Sequence, residues 1–250
     1  EFFTSFGYKS FIGIIFCGIF YVIMGSILSK ISITNNLNSY SEAMKLISPN
    51  ILGKLTGIIT TLYLISSASI ILAGSGALLN QFFHIPKILG SLIMLCCAII
   101  FLFRGTNGLI EVNSFIVPCL VVIMSTIFIL YFFLCKDMLS LETIIHFPPK
   151  KSGVLISTIL YAGYNTLCSS GVLVPLSTEM KNSKTMIKGI SLGTLGLTLL
   201  CLIINLLLTI NQPYIYEYEI PLLLVAERFG SLIQGFLLVI IWLEMFSTEV

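Results

Sequence analysis

Small and polar residues interrupt a long apolar stretch in the middle of the chain, between Ile159 and Val172. Glycine weakens a helix, and asparagine and serine side chains compete with it for backbone hydrogen bonds. Within a membrane, a broken helix is tolerated only inside a protein or around a cavity, where its freed backbone groups can bind a solute or an ion. The pattern predicts two half-helices joined near Gly163–Asn165, with a binding site for a small polar solute at the break. The residues assigned to this site are Tyr161, Gly163, Tyr164, Asn165 and Ser169.

A second interpretation of the same segment stays open at this point. Small residues let two helices approach closely, and an asparagine can hydrogen-bond across such a contact. Under this interpretation Asn165 stabilises helix packing and does not touch a solute.

A carboxylate and two hydroxyls lie close together in the last apolar segment, at Glu244, Ser247 and Thr248. Their spacing places all of them on one face of a helix. An ionisable group inside a membrane is costly and usually functional. Oxygen ligands suit Na⁺, which is a hard cation, and a buried carboxyl group can alternatively carry a proton. The segment predicts an ion-coupling site for Na⁺ or H⁺, unless Glu244 lies at the membrane surface.

The overall composition indicates a membrane protein. Hydrophobic residues make up 57% of the 250 residues and charged residues only 10%, and the mean hydropathy is +1.05. A soluble domain carries roughly 25% charged residues, so a chain of this composition needs lipid around much of its exterior.

Several classes of function are disfavoured by the same sequence. The net charge of +2 and the lack of a basic patch with interleaved aromatic residues argue against a nucleic-acid partner. The seven cysteines are odd in number, which argues against a disulfide framework. His84 and His146 are far apart, so we expect no metal or cofactor beyond a coupling ion. No hydrolase, phosphate-loop or metalloprotease motif occurs, so we do not expect an enzyme.

Seven apolar segments have the length, or nearly the length, of a membrane-crossing helix, which takes about 20 residues. They are Phe11–Leu28, Leu55–Leu79, Ile88–Phe103, Phe115–Leu134, Val154–Leu176, Ile190–Ile210 and Leu232–Val250. Together they predict an all-α, polytopic membrane helical bundle in a single transmembrane domain over residues 1–250. Because the chain starts at Glu1 and stops within its last apolar segment, both ends are expected to be truncated.

The second apolar segment is rich in small residues, and two interpretations apply to it. Small residues at this density favour close helix packing. The alternative is that these residues line a cavity for the solute. The residues concerned are Ser66, Ser67, Ser69, Gly74 and Gly76.

Two loops carry signals for amphipathic helices, which lie on a membrane surface or pack over a bundle. Asn38–Glu42 opens one helix and Ser48–Asn50 ends it. Glu219–Pro221 opens another, running to about Arg228, and its proline suits the first helical turn. The basic residues of the loops divide seven to six between the two membrane faces, which slightly favours a cytoplasmic Ser29–Lys54 loop.

Four short motifs give the chain a family resemblance. They are the opening Glu1–Gly7, the central Tyr161–Asn165, Glu219–Pro221, and the terminal Phe246–Thr248. In these motifs and in their order, the chain resembles the YkvI-like membrane proteins of bacteria over nearly its whole length. Those proteins are members of the amino acid–polyamine–organocation (APC) superfamily, which has the LeuT-type transporter fold with discontinuous helices.

The resemblance implies a register for the helices. Glu1–Gly7 would be the outer end of a broken helix 1, and the seven segments would be helices 2 to 8. Val154–Leu176 would then be helix 6, the second broken helix of that fold. Ser247 and Thr248 would match the helix 8 hydroxyls that complete a sodium site with helix 1 in sodium-coupled relatives.

The function implied by the resemblance is secondary transport of a small polar solute, an amino acid or an amine, driven by Na⁺ or H⁺. The implied location is the bacterial cytoplasmic membrane, with the lipid bilayer and the solute as partners. A non-transporting, ligand-sensing receptor of the same fold is one alternative. A membrane-embedded enzyme is an alternative from another class.

Overall fold

The computed structural model describes residues 4–47, 50–103, 105–135 and 153–249. Within these ranges every regular element is a helix. The α-helices are α1 Lys9–Asn35, α2 Tyr40–Ile47, α3 Ile51–Phe83, α4 Lys87–Leu102, α5 Gly105–Leu134, α6 Val154–Met180, α7 Ser183–Ile210, α8 Pro221–Glu227 and α9 Ser231–Glu249. Short 3₁₀ turns at Thr4–Phe6 and Tyr214–Glu217 precede α1 and α8.

Six helices of the described chain are long and apolar enough to cross a membrane. These spans are Lys9–Asn35, Gly53–Phe83, Asn113–Leu134, Val154–Met180, Ser183–Ile210 and Ser231–Glu249. Helix α4 is apolar as well but shorter. Each of the seven segments predicted from the sequence overlaps one helix, and the prediction of an all-α polytopic membrane bundle is confirmed.

Helix α1 buries small residues and exposes large apolar ones. In α1, Gly18 and Ser29 are buried, whereas Ile12 and Ile19 are exposed. Lipid solvates exposed apolar side chains, and small residues allow helix backbones to approach closely. This distribution of side chains fits a bundle that lies in a bilayer.

The described helices form two compact units. The first unit comprises α1, α2, α6, the part of α3 up to Ile65 and the part of α7 up to Leu202. The second unit comprises the rest of α3 and α7 together with α4, α5, α8 and α9.

In the first unit, α1 and α6 run parallel. The thiol of Cys17 lies 3.8 Å from the carbonyl oxygen of Thr158, and the hydroxyls of Ser29 and Ser177 hydrogen-bond at 2.9 Å. Residue numbers therefore rise together along the contact. The carboxyl ends of α1 and α6 consequently lie at the same end of the unit.

Helix α7 runs antiparallel to α1, and two glycines let it approach closely. A Cβ atom added at Gly18 would collide with the side chain of Thr198. One added at Gly25 would lie 3.2 Å from Cγ2 of Ile190. As numbers rise along α1 they fall along α7, so α7 begins at the end where α1 finishes.

The predicted amphipathic helix α2 caps this same end of the first unit. The hydroxyl of Ser39 accepts a hydrogen bond from the amide of Glu42, which is the capping pattern expected from the sequence. Ala43 packs with Leu37 and with Val174 of α6. The predicted stop signal falls partly on residues 48–49, which lie outside the described residues.

In the second unit, α3 and α4 pack through glycines. A Cβ atom at Gly76 would collide with the carbonyl oxygen of Lys87, and one at Gly90 would lie 2.9 Å from the Cα of Gly76. The hydroxyl of Ser91 donates to the carbonyl of Leu72 at 2.8 Å. These contacts support the packing interpretation of the small residues around Gly76.

The segment between α7 and α9 is folded onto the end of α3. Helix α8 begins with Pro221 in its first turn and buries Leu223 and Val225, as the sequence predicted for an amphipathic helix. The side-chain amide of Gln81 donates to the carbonyl of Ile220 at 3.2 Å and accepts from its amide at 3.0 Å. One side chain of α3 therefore holds the start of α8 through two hydrogen bonds.

Candidate functional site

Helix α6 carries the predicted solute-binding residues and is continuous. It runs from Val154 to Met180 through the positions where a break was expected. The prediction of two half-helices joined near Gly163–Asn165 is therefore wrong. A binding role for this segment has to rest on side chains and not on backbone freed at those residues.

The polar side chains of α6 bond to carbonyls of the same helix, which remains continuous. Asn165 Nδ2 donates to the carbonyl of Tyr161 at 2.9 Å, and Thr166 Oγ1 donates to that of Ala162 at 2.8 Å. Ser169 Oγ donates to the carbonyl of Thr166 at 3.1 Å. A carbonyl oxygen has two lone pairs, so it accepts such a bond in addition to its helical one. The polar side chains add to the hydrogen-bond ladder and do not replace it.

Three of the five predicted residues form one strip along α6. Tyr161, Asn165 and Ser169 follow one another at intervals of four residues, so they lie on one face of the helix. Tyr161 keeps 38% of its surface exposed, and Ser169 is also exposed. Tyr164 borders this strip, whereas Gly163 lies on the far side of the helix.

Tyr63 of α3, which the sequence analysis did not single out, contacts this part of α6. Its hydroxyl donates to the carbonyl of Tyr164 at 3.2 Å and lies 3.6 Å from the thiol of Cys168. Its ring meets that of Tyr164 edge to face, with centroids 5.0 Å apart. A tyrosine between Leu62 and Leu64 was the available signal, because a phenol in an aliphatic run needs a hydrogen-bond partner.

Pro175 was missed as well. A proline inside a helix removes the hydrogen bond to the carbonyl four residues earlier, which here is Gly171. Gly171 is exposed, with no atom within 4 Å of the position that a Cβ would take. Pro175 therefore leaves the Gly171 carbonyl without its usual helical donor, about half a turn around the helix from Ser169 and so outside the strip.

The predicted ion-coupling residues lie together at the end of α9. Ser247 Oγ and Thr248 Oγ1 donate to the carbonyl of Glu244 at 3.0 and 2.8 Å. Ser247 is buried and Thr248 is exposed. A hydroxyl that donates its proton keeps lone pairs, so both oxygens remain able to accept or to ligate a cation.

The carboxylate of Glu244 differs from the hydroxyls of Ser247 and Thr248 in its hydrogen bonding. Its Oε2 is buried and has no hydrogen-bond partner among the described residues, and neither has Nε1 of Trp242 on the same helix. Trp242 stacks on Phe246, with ring centroids 6.1 Å apart and planes 5° apart. The aromatic pair lies on α9 next to a carboxylate oxygen that has no donor to satisfy it.

A cavity of about 410 Å³ lies between α5 and α9 in the second unit. Its lining is almost entirely apolar, and the one hydroxyl, that of Thr126, donates to the carbonyl of Val122. A polar solute would find few hydrogen-bond partners there, so this cavity fits the predicted substrate poorly.

Comparison with known proteins gives an informative match. No protein-family model matches the chain. Over all 250 residues it is 29% identical to the "Uncharacterized membrane protein YkvI" of Bacillus subtilis (strain 168), and the match covers 71% of that protein. This similarity over the whole chain supports the resemblance indicated by the four motifs, that of a YkvI-like membrane protein.

Proposed function

We propose that this chain belongs to a secondary transporter of a small polar solute, an amino acid or an amine, in the bacterial cytoplasmic membrane. The observation that carries the proposal is the partly exposed strip of Tyr161, Asn165 and Ser169 on a membrane-length helix. Hydroxyl and amide groups are costly to leave against lipid tails. Polar residues within membrane spans usually face the bundle interior or a water-filled path.

The chemistry of the strip suits a solute with both donors and acceptors. The hydroxyls of Tyr161 and Ser169 can donate or accept, and the side-chain amide of Asn165 carries both donors and an acceptor. An ammonium group needs several acceptors, and a carboxylate needs several donors. A zwitterionic amino acid or a small amine fits this set better than an apolar molecule does.

Coupling to Na⁺ or H⁺ is assigned to the end of α9. A buried carboxylate without a partner is costly unless it is neutral or paired with a cation. Among the described residues, Oε2 of Glu244 is such a buried carboxylate oxygen without a partner. A proton on Glu244, or Na⁺ held with the oxygens of Ser247 and Thr248, would satisfy it.

The LeuT-type fold and membership of the APC superfamily are part of the proposal, and they rest on the sequence motifs. The continuous α6 means that solute binding is assigned to side chains. No chemical step is assigned to the chain, since the proposal is for transport and not for catalysis.

Uptake by the full-length protein in proteoliposomes tests the proposal. Radiolabelled amino acids and putrescine would be offered with and without Na⁺ and pH gradients. We expect accumulation of at least one of them above the level in empty liposomes. Specific binding without uptake would favour the ligand-sensing receptor, and neither binding nor uptake of any of these solutes would contradict the assigned substrate class.

Asn165→Ala is the variant that tests the binding strip. One lost hydrogen bond to a polar ligand raises its dissociation constant about threefold to tenfold. Thr166→Val is the matched control, because Thr166 also donates to a carbonyl four residues back but lies next to the strip. Equal solute affinity in both variants, measured by equilibrium binding to the purified protein, would favour the packing interpretation of Asn165.

A further inference from the structure

Six lysines of the first unit collect at one end of it. All six are exposed. They are Lys30 on α1, Lys45 on α2, Lys54 on α3, Lys181 after α6, and Lys184 and Lys188 on α7. We call them the lysine end.

The packing of the helices brings these lysines together. The carboxyl ends of α1 and α6 lie at the same end, since the two helices are parallel, and α7 starts there because it is antiparallel to α1. Thr178 near the end of α6 donates to the carbonyl of Leu37 at 2.6 Å, which fixes the start of the α1–α2 connection at that end. Helix α3 begins at Ile51, and four residues from Ile47 span at most roughly 14 Å.

The lysine end keeps an excess of positive charge among the described residues. The acidic residues near it are Glu42 and Glu179, and the carboxylate of Glu42 already accepts from the amide of Asn38 at 2.7 Å. None of the six lysines forms an ion pair within the described ranges, where the recorded pair is that of Lys87 with Glu219. At the opposite end of the unit the described residues include one basic residue, Lys9.

Apolar side chains are exposed between the lysines. Leu46 is 51% exposed, Ile51 is 83% exposed and Met180 is 45% exposed. A lysine can lay its apolar stem beside such groups while its ammonium reaches the headgroup level. Alternating cations and apolar groups suit the boundary between lipid tails and headgroups better than they suit bulk water.

We infer that the lysine end is a docking surface for anionic lipid headgroups of the cytoplasmic leaflet. Basic residues next to membrane spans are enriched on the cytoplasmic side, where anionic lipids attract them. The sequence divides its loop charges almost evenly between the faces, and among the described residues of the first unit six of the seven basic residues lie at one end. This inference does not depend on transport, because it concerns orientation and lipid binding only.

Lipid titration of the full-length protein tests the inference. Native mass spectrometry would follow binding of phosphatidylglycerol and of phosphatidylcholine to the detergent-solubilised protein. Each lysine near an anionic surface is worth about a factor of five in a binding constant. We expect K181Q/K184Q/K188Q, which removes three such contributions, to weaken phosphatidylglycerol binding by up to roughly a hundredfold and by at least about fivefold, and to leave phosphatidylcholine binding unchanged.

The controls separate the lipid surface from other anionic partners. Lys9→Gln, at the opposite end, should leave both lipid affinities unchanged. Inorganic phosphate at the lipid concentration should not displace phosphatidylglycerol, and displacement would overturn the assignment to a lipid. Equal phosphatidylglycerol binding by the wild type and the triple variant would overturn it too, as would retention of acidic proteins in place of the lipid.

The orientation is tested separately in membranes. A membrane-impermeant amine reagent should modify Lys181, Lys184 and Lys188 in inverted vesicles but not in intact cells. Mass spectrometry of the resulting peptides gives the labelled fraction of each lysine. Modification in intact cells would place the lysine end outside and would overturn the assignment to the cytoplasmic leaflet.

Discussion

The polar residues of α6 and those of α9 satisfy their hydrogen bonds in different ways. In α6, Asn165 and Ser169 donate to carbonyls of their own helix and remain accessible. In α9, Ser247 does the same, but a buried oxygen of Glu244 has no partner among the described residues. Hydroxyls and amides carry donors that a helix carbonyl can accept, whereas a carboxylate only accepts. A helix, whose own amides are already used, cannot satisfy it.

This difference separates the two roles proposed for the helices. The strip on α6 is stable without a ligand, so a solute can bind and leave it at little cost. The carboxyl group of Glu244 needs a proton or a cation. Substitutions in α6 are therefore expected to change solute affinity, and those in α9 to change the dependence on ions.

Glu244→Gln is expected to have the largest effect. A potential of 100 mV acting on one coupled charge is worth about 2.3 kcal/mol, or roughly a fiftyfold accumulation. If Glu244 carries the coupling proton, the variant should bind solute normally and only equilibrate it, because glutamine cannot take up and release a proton. Uptake under an imposed pH gradient and membrane potential is the measurement, with the exposed Glu227→Gln as control. Accumulation at the wild-type level would exclude Glu244 as the coupling group.

Ser247→Ala combined with Thr248→Val tests the competing sodium mechanism. If their oxygens ligate Na⁺, the sodium concentration for half-maximal uptake should rise by roughly tenfold or more, since bonds to charged groups are the stronger ones. No direct change in a pH profile is expected, because hydroxyls do not titrate in this range.

Thr209→Val is the matched control for this double variant. Thr209 also donates to a carbonyl four residues back, at 2.7 Å, and it lies in the same unit. Uptake that depends on neither Na⁺ nor a proton gradient, with wild-type rates in the double variant and in Glu244→Gln, would leave a uniporter or a receptor.

Tyr63→Phe should have the smallest effect, and it tests the role proposed for α6. Losing the hydrogen bond to the Tyr164 carbonyl costs about 0.5–1.5 kcal/mol, which lowers the melting temperature by roughly 1–5 °C. The dependence of uptake on ions should not change. Thermal unfolding of the purified protein measures the shift, and the exposed Tyr8→Phe serves as control. A changed ion dependence would mean that the two helices do not have separate roles.

The helices follow from the sequence because length and hydropathy are sufficient to define them. The limits of α7 show where this signal stops: the apolar segment starts at Ile190, but the helix begins at Ser183. Lys184 and Lys188 are polar and still helical, since their long side chains extend into water or headgroups while the backbone remains regular. Hydropathy marks the part of a helix that lies in lipid and not its ends.

The expected break in α6 did not follow, for a local reason. Asparagine and serine compete for backbone hydrogen bonds, but the same side chains can also bond back to a carbonyl of an intact helix. Residue types do not distinguish these outcomes, because neighbouring helices decide between them. Tyr63, which bonds to the Tyr164 carbonyl, is such a neighbour, and it lies about one hundred positions away in the sequence.

The double hydrogen bond of Gln81 to Ile220 has a consequence for how the sequence can vary. The amide recognises only the backbone of residue 220, so many side chains should be tolerated there. At position 81, glutamate would lose the donor, and asparagine would be one methylene too short to reach. Related chains that keep these two hydrogen bonds should therefore vary at position 220 and keep glutamine at position 81.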